Sequence, residues 1–337
     1  MQKIKVGIFF GGISPEHEVS LMSVGGIISN IDKSKFKVVE IFIDKEGVFW
    51  TGKNVLAKVE SHDFKTLVKL DLNTLVKKID AAFPILHGKG GEDGSIQGML
   101  ETLGIPYVGA RVVASALCLD KALFNQLMWV NGIAKPEFIV LDYERDSKKI
   151  INHKIRQIKQ RIKPPIFVKP ARTGSSVGIS KIKKFSEMIK AINLAKKFDL
   201  KIIIEQSIEQ GKEIEISVLG NSKENYAVSL PGRIIPHKEF YDYNDKYKDN
   251  KTMFELPAKL SPSKIREIQS IALRAYTVAN CQGFARVDFL LDKKQKVYIN
   301  EINTIPGFTP ISMYPRMWEV SGLSYKRLIT KLIQLAV

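Results

Sequence analysis

The first ~117 residues of the chain alternate short apolar strands with helices, with glycine-rich loops at the strand ends. The patterns predict strands at Lys3–Phe10, Val38–Ile43 and Ala81–Leu86 and a helix at Glu18–Ser29. This alternation indicates an α/β fold with an open, largely parallel sheet, which binds ligands at the carboxyl ends of its strands. We therefore expect the loops at residues 11–20 and 87–94 to lie at one binding edge. A Gly-Gly pair alone signifies no more than a chain reversal.

A second unit begins near Asp120, which we expect to cap a helix at Lys121–Val130. Further elements are predicted at Phe138–Leu141 (strand), Lys148–Lys163 (helix), Ile166–Lys169 (strand), Phe185–Phe198 (helix) and Lys201–Glu205 (strand). The Gly/Ser-rich run Pro170–Gly178 follows the strand that ends in Lys169. Its N–H groups and hydroxyls, with the lysine charge, suit a phosphate. It is not a Walker loop, and by itself it is equally typical of a flexible hairpin.

The last unit starts with a predicted strand at Glu213–Leu219. The segment Phe240–Tyr247 places three tyrosines among charges without a period that would bury them, which favours a lid over a site. Ser261 is expected to cap a helix that begins at Pro262 and runs to about Ala279. A strand hairpin and two helices close the chain. These boundaries predict three domains: residues 1–117, 118–207 and 208–337.

The hairpin near the C-terminus pairs predicted strands at residues 285–291 and 297–302. Side chains two apart share a face of a strand, so Arg286 and Asp288 point the same way, as do Glu301 and Asn303. Two carboxylates and a carboxamide are hard oxygen donors that suit Mg²⁺ rather than zinc. This pattern predicts a magnesium site of the kind that accompanies nucleotide phosphates. The alternative is a surface hairpin with solvated charges.

The charge of the chain raises the question of a nucleic-acid partner. Lys and Arg total 52 against 35 Asp and Glu, a net charge of +17, but they are spread along the whole sequence. The densest basic segment, residues 148–163, carries isoleucines at helical spacing, so its charges form the solvated face of an amphipathic helix. No zinc finger, RNP-like strand or helix-turn-helix is recognisable. We expect no nucleic-acid partner and attribute the charge to a lysine-rich proteome and to attraction of anionic substrates.

The sequence shows neither a membrane-spanning segment nor a signal peptide, and this bears on where in the cell we expect the protein. No apolar run approaches the ~20 residues of a membrane span, and no signal peptide is visible, so we expect a soluble, cytoplasmic protein without a membrane partner. Cys118 and Cys281 stand far apart along the chain without metal spacing. They are interpreted as small buried residues in a reducing cytosol.

Five motifs in order resemble those of the D-alanine–D-alanine ligases. They are Gly11–Ser20, His87–Gly94, Lys169–Gly178, Tyr241–Tyr247 and Glu301–Gly307. The resemblance spans essentially the whole chain. It implies the ATP-grasp fold, in which two α+β units hold ATP and an N-terminal Rossmann-like parallel-sheet domain precedes them. It also implies D-alanyl-D-alanine synthesis for peptidoglycan in the cytoplasm, commonly by a homodimer.

The resemblance further implies the residues that activate the first D-alanine with ATP. Lys121 and Lys169 would hold the α and β phosphates, and the loop of residues 172–178, including Ser176, would close over the γ-phosphate. The adenosine would be held by Glu205, Gln206, Ile208 and Glu213. The metal ligands would be Asp288, Glu301 and Asn303, around two Mg²⁺ or Mn²⁺ ions. Phosphoryl transfer to the carboxylate then depends on positioning and charge neutralisation.

A second set of residues is implied for the attack by the second D-alanine. Arg286 and the N–H of Gly307 would stabilise the tetrahedral oxyanion. The remaining substrate and lid residues would be Glu16, His87, Ser175, Lys246, Tyr247 and Ser312. Glu16 would pair with the first ammonium, joined by Ser175 and Tyr247, and His87 would lie near the first carboxylate. Lys246 and Ser312 would bind the second carboxylate.

Other interpretations of single residues and of the whole chain remain open. Glu16 is also suited to cap the helix after it, His87 to tie down its own loop, and Lys246 to be a solvated lid charge. For the whole chain, the alternatives are a ligase of the same fold with D-lactate or another acceptor, and a non-catalytic nucleotide- or nucleic-acid-binding protein. The complete metal set argues against the latter. Tyr247 argues against D-lactate, because D-lactate-using relatives lack that tyrosine.

Overall fold

The computed structural model of the protein describes residues 2–209, 211–235 and 252–337. Strands and helices are numbered in chain order within these residues. The predicted lid at Phe240–Tyr247, with its site residues Lys246 and Tyr247, lies outside them. The described strands form three sheets.

The first sheet has the order β4-β3-β2-β1-β5. Its strands are β1 Ile4–Gly11, β2 Phe36–Ile43, β3 Phe49–Thr51, β4 Val68–Lys69 and β5 Ala81–Pro84. β1 pairs in parallel with β2 and β5, as the alternation predicts, while β3 and β4 extend the sheet antiparallel. The helices of this part are α1 His17–Asn30, α2 Val55–Glu60, α3 Leu75–Lys78, α4 Ser95–Thr102 and α5 Val112–Leu119. The loops after β1 and β5 therefore lie at the same sheet edge.

The second sheet is antiparallel in the order β6-β9-β7-β8. Its elements are α6 Lys121–Val130, β6 Phe138–Asp142, α7 Lys148–Arg161, β7 Ile166–Pro170, β8 Ser180–Ile182, α8 Met188–Ala195 and β9 Lys201–Gln206. Asp120 caps α6 as predicted, accepting from the N–H groups of Ala122 and Leu123. α8 is shorter than the predicted helix. The first residues of the predicted helix, Phe185–Glu187, form a 3₁₀ turn instead. At the other end, Phe198 N–H donates to Ala195 O, only three residues back, and this tighter turn ends the helix.

The third sheet is antiparallel, with the path β13-β12-β10-β14-β15 and β11 beside β10. Its strands are β10 Lys212–Leu219, β11 Ala227–Val228, β12 Gly232–Ile235, β13 Met253–Glu255, β14 Phe284–Leu291 and β15 Val297–Asn303. The helices are α9 Pro262–Val278, α10 Met313–Val320 and α11 Tyr325–Ala336. Ser261 caps α9 by accepting from Lys264 N–H at 3.3 Å. β14 and β15 pair with each other, so the predicted hairpin is confirmed.

The hydrophobic cores join segments that are distant along the chain. Leu328 and Leu332 of α11 pack in one core with Val24 of α1, so the end of the chain supports the first sheet. Phe124 of α6 lies in the core of the third sheet, although chain order groups α6 with the second. Within the described residues, no helix has the length and apolar content needed to cross a bilayer. These shared cores fix the walls of a cleft between the sheets.

The two cysteines belong to the core that α6 shares with the third sheet. Cys118 and Cys281 are both buried there, as predicted, and their Sγ atoms lie 3.9 Å apart. Their separation along the chain therefore concealed a contact in space.

Candidate active site

A cleft of about 880 Å³ opens between the three sheets. Apart from residues 172, 173, 177 and 178 of the predicted phosphate loop, every predicted site residue that falls in the described part of the chain lines it. They are Glu16, His87, Lys121, Lys169, Ser175, Ser176, Glu205, Gln206, Ile208, Glu213, Arg286, Asp288, Glu301, Asn303, Gly307 and Ser312. Residues from all three units thus converge on one place.

The third sheet presents an acid face to the cleft, made of Glu215, Arg286, Asp288, Glu301 and Asn303. Strand register puts Glu215 opposite Asp288 and Asp288 opposite Glu301, so three carboxylates form a row across β10, β14 and β15. The next row places Arg286 opposite Asn303. Arg286 donates from Nε to Asp288 Oδ1 and from Nη2 to Oδ2, both at 2.7 Å. Asn303 Oδ1 accepts from Ile305 N–H at 3.0 Å.

The two predicted phosphate-binding lysines are paired with carboxylates of the cleft. Lys169 Nζ lies 2.7 Å from Glu205 Oε1, and Lys121 Nζ lies 3.5 Å from Glu301 Oε2 while donating to Thr173 O at 2.8 Å. Burial alone would raise the pKa of Glu205, but the charges of Lys169 and Lys135 outweigh it and the pKa is lowered. Both lysines therefore place their amino groups in the cleft, beside its carboxylates and within reach of a bound anion.

Glu16 connects the first unit to the serine loop, defined here as residues 172–178. Its carboxylate accepts a hydrogen bond from Ser175 Oγ, and its side chain makes no capping bond to α1. Gly88 and Gly174 make room for it, since a Cβ on either would come within 2.8 Å of Glu16 Oε2. The predicted contact between Glu16 and Ser175 is therefore present. The Glu16 side chain does not cap α1, so the capping interpretation is wrong.

His87 is buried in the wall of the cleft. Nδ1 lies 2.9 Å from Ile305 O, which can only accept, so Nδ1 carries the proton and Nε2 accepts from Ser23 Oγ at 3.2 Å. Burial lowers the pKa of His87, although the charge of Glu16 opposes this. A neutral imidazole therefore ties the loop after β5 to α1 and to the segment after β15, which agrees with the loop-anchoring interpretation, and the role of His87 beside a substrate stays a prediction.

Three predicted residues make contacts that limit their roles. The side-chain amide of Gln206 bonds both ways with the backbone of Lys163, at 2.8 and 3.0 Å. Ser312 Oγ lies 2.7 Å from Thr309 Oγ1. Arg172, expected to close over a γ-phosphate with the rest of its loop, instead has its side chain held by Asp199 at 2.6 Å. The part of the loop that faces the cleft is thus Gly174–Ser176.

Among the cleft residues that the sequence reasoning did not name as site residues are Glu92, Asn125 and Glu215. Glu92 accepts from Gly88 N–H at 2.9 Å; burial, and next the charge of Glu16, raise its pKa to about 8. Asn125 Nδ2 lies 3.3 Å from Glu205 Oε2. The sequence held signals for two of them. Glu215 lies two residues after Glu213 on one strand, and Asn125 lies one helical turn after Lys121, so each shares a face with a predicted site residue.

The donor chemistry fits magnesium bound together with a nucleotide. Asp288, Glu301 and Asn303 offer only oxygen, at neighbouring register positions on one face. Residues 2–209, 211–235 and 252–337 contain no cluster of three Asp, Glu, His or Cys side chains able to hold a metal by themselves. A cation here would therefore need further oxygens, such as those of phosphates, which the nearby lysines would also attract.

A nucleotide-sized cleft between two α+β units, with a Rossmann-like sheet before them, defines the ATP-grasp class of ATP-dependent ligases. Family models described as D-ala D-ala ligase N-terminus and D-ala D-ala ligase C-terminus match residues 5–110 and 127–334. The chain belongs to the D-alanine–D-alanine ligase family.

Individual relatives agree with this assignment. A D-alanine–D-alanine ligase of Caldicellulosiruptor bescii is 46% identical over 100% of this chain and 96% of its own length. Among solved structures, the VanG D-Ala:D-Ser ligase of Enterococcus faecalis has a TM-score of 0.89 and 34% identity, covering 100% of both chains. The D-alanine–D-alanine ligase of Coxiella burnetii has a TM-score of 0.82 and 34% identity, over 99% of this chain and 95% of its own.

Proposed function

We propose that this protein joins two D-alanine molecules into D-alanyl-D-alanine, with ATP converted to ADP and phosphate, for peptidoglycan precursor synthesis in the cytoplasm. The observation that carries the proposal is that motifs spread along the chain meet in one cleft, where Ser175 reaches Glu16 and Arg286 adjoins the acid face. Charge complementarity supports it, because Glu16 offers a carboxylate for the ammonium of D-alanine, and Lys121 and Lys169 offer amino groups for the phosphates of ATP.

In the first step a carboxylate oxygen of the first D-alanine attacks the γ-phosphorus of ATP, giving an acyl phosphate and ADP. Glu16 would hold the ammonium of that D-alanine, and Lys121 and Lys169 would neutralise the phosphates. Glu205, Gln206, Ile208 and Glu213 would hold the adenosine, and Ser176 with the serine loop would cover the transferred group. Asp288, Glu301 and Asn303 would hold two Mg²⁺ or Mn²⁺ ions, which neutralise phosphate charge when bound.

In the second step the neutral amine of the second D-alanine attacks the acyl carbon, and phosphate leaves. Arg286 and the N–H of Gly307 would stabilise the oxyanion. His87, neutral in its buried position, would border the first substrate's carboxylate. Ser312 and Lys246 would bind the second carboxylate, and Tyr247 would close the lid together with Ser175. We also expect a homodimer, which light scattering would detect.

A second candidate is a ligase of this fold with another acceptor, because the VanG relative at TM-score 0.89 is a D-Ala:D-Ser ligase. The test measures phosphate release from ATP and Mg²⁺ with D-alanine alone, with L-alanine, and with D-alanine plus D-serine or D-lactate. Mass spectrometry then identifies the product. We expect D-alanyl-D-alanine as the main product in each mixture that contains D-alanine. A predominant mixed product would establish the second candidate, and no D-alanine-dependent phosphate release would refute both.

A further inference from the structure

The acid face holds one arginine between two carboxylates. Besides its two bonds to Asp288, Arg286 Nε lies 3.2 Å from Glu215 Oε1. The three side chains are 15%, 12% and 6% exposed for Arg286, Asp288 and Glu215 respectively. A buried guanidinium keeps its charge and needs carboxylate partners. Burial alone would lower the pKa of Arg286, but Asp288 and Glu215 outweigh it and raise the pKa well above its usual value.

This arrangement creates a competition for Asp288. Under the proposed function Asp288 must offer an oxygen to a divalent cation, yet both of its oxygens accept from Arg286. The arginine must remain in place for the later oxyanion step. When the cation binds Asp288, the carboxylate of Asp288 no longer fully neutralises the buried guanidinium of Arg286. Glu215, the direct cross-strand neighbour of Asp288, is the carboxylate already within reach to supply it.

We propose that Glu215 is a positioning residue that holds Arg286 in place while Asp288 binds the divalent cation. This inference rests on the proposed function and adds to it a residue that the two reaction steps do not use. Glu215 acts through Arg286 and is not itself a ligand. Without its charge, Arg286 draws Asp288 more tightly to itself, so the cation must break a stronger ion pair to bind.

The test is Mn²⁺ binding followed by electron paramagnetic resonance in the presence of ADP, with the Mg²⁺ dependence of turnover measured alongside. We expect Glu215→Gln to raise the Mn²⁺ dissociation constant about tenfold, the size of one hydrogen bond to a charged group. Glu215→Asp, which retains the charge, should recover part of the loss. The control is Glu255→Gln, which breaks a different Arg–Glu pair of the same sheet, Arg233 with Glu255 at 4.0 Å; it should leave Mn²⁺ binding unchanged.

A double variant separates the proposed role from direct ligation. In an Arg286→Met background, Glu215→Gln should have no further effect on Mn²⁺ binding, because the residue through which it acts is gone. A tenfold loss that persists in that background would overturn the proposal in favour of a metal ligand. A lower melting temperature with unchanged Mn²⁺ binding in Glu215→Gln would overturn it in favour of a purely structural ion pair.

The Asp288→Asn variant separates a failure of this inference from a failure of the proposed function on which it rests. If Asp288→Asn weakens Mn²⁺ binding and Glu215→Gln does not, the positioning role is wrong and the proposed metal site stands. If neither variant weakens binding, the metal assignment in the proposed function and the positioning role are both wrong.

Discussion

The acid face and the serine loop line the same cleft but are built in different ways. The acid face lies on three neighbouring strands, and strand register alone brings Asp288 opposite Glu301. The serine loop depends on another part of the chain, because Ser175 reaches Glu16 across 159 positions of sequence. Ser175 and Ser176 also have positive φ angles of 49° and 59°, a conformation that non-glycine residues seldom adopt without support.

Because the two regions are built differently, substitutions in the acid face and in the serine loop should disturb different properties of the protein. A charge altered on the acid face leaves the hairpin backbone bonds intact, so the chemistry should suffer more than folding does. Removal of the Ser175 hydroxyl breaks a hydrogen bond between two units, so substrate capture should suffer first. Three substitutions test this division, in order of expected effect.

The largest effect is expected from Asp288→Asn, which keeps the shape and removes one negative ligand. Turnover at limiting Mg²⁺ should fall about a hundredfold or more, because a catalytic metal supplies several kcal/mol of charge stabilisation. The melting temperature should also fall, because Asp288 is a partner of the buried Arg286, but the protein should remain folded at the assay temperature, so that unfolding does not account for the lost turnover. The control is Asp292→Asn in the turn of the same hairpin, where the remaining oxygen can still accept from Lys294 N–H. Near-normal activity of Asp288→Asn at limiting Mg²⁺ would show that the hairpin is not the metal site.

A smaller effect is expected from Ser175→Ala, which removes the hydroxyl that donates to Glu16. We expect kcat/KM for D-alanine to fall about tenfold, since a hydrogen bond to a charged group is removed. Steady-state kinetics and thermal unfolding would be measured together. Thr173→Ala serves as the control, because it removes a bond within the loop, from Thr173 Oγ1 to Val177 O at 3.2 Å. An equal loss in both variants would attribute the effect to loop rigidity rather than to Glu16.

The smallest effect on turnover, but a distinct pH signature, is expected from Glu92→Gln. A carboxyl whose pKa rises on folding from 4.5 to about 8 takes up a proton. Its stabilising contribution is therefore full below about pH 4.5 and is lost as the pH rises toward 8. Gln imitates the protonated form, so the variant should gain stability relative to wild type as the pH rises, by at most about 1.4 kcal/mol per pH unit.

Urea unfolding at pH 5, 6, 7 and 8 without added metal measures this difference. Glu60→Gln, at an exposed position of α2, is the control and should show no trend. A constant difference between Glu92→Gln and wild type at all four values would contradict the raised pKa. A difference that rises with pH would show that burial of Glu92 in the loop after β5 raises its pKa.

Much of the fold was predictable because its signals are local. Caps at Asp120 and Ser261, the parallel strands β1, β2 and β5, and the hairpin of β14 and β15 all follow from patterns a few residues long. The very short strands β3, β4, β8, β11 and β13 escaped prediction, because two or three residues carry no measurable period. The candidate site was largely found through motif resemblance, which supplied positions that no local pattern could join.

Sequence alone determined the residue types of the site and their order along strands and loops, because side-chain periodicity and turn chemistry act over neighbouring positions. It could not determine which charges pair. That Arg286 is shared by Asp288 and Glu215, that Arg172 turns to Asp199, and that Glu92 is buried beside Glu16 were decided by the packing of the three units. Electrostatic energy depends on distance and burial, and only the tertiary structure sets those.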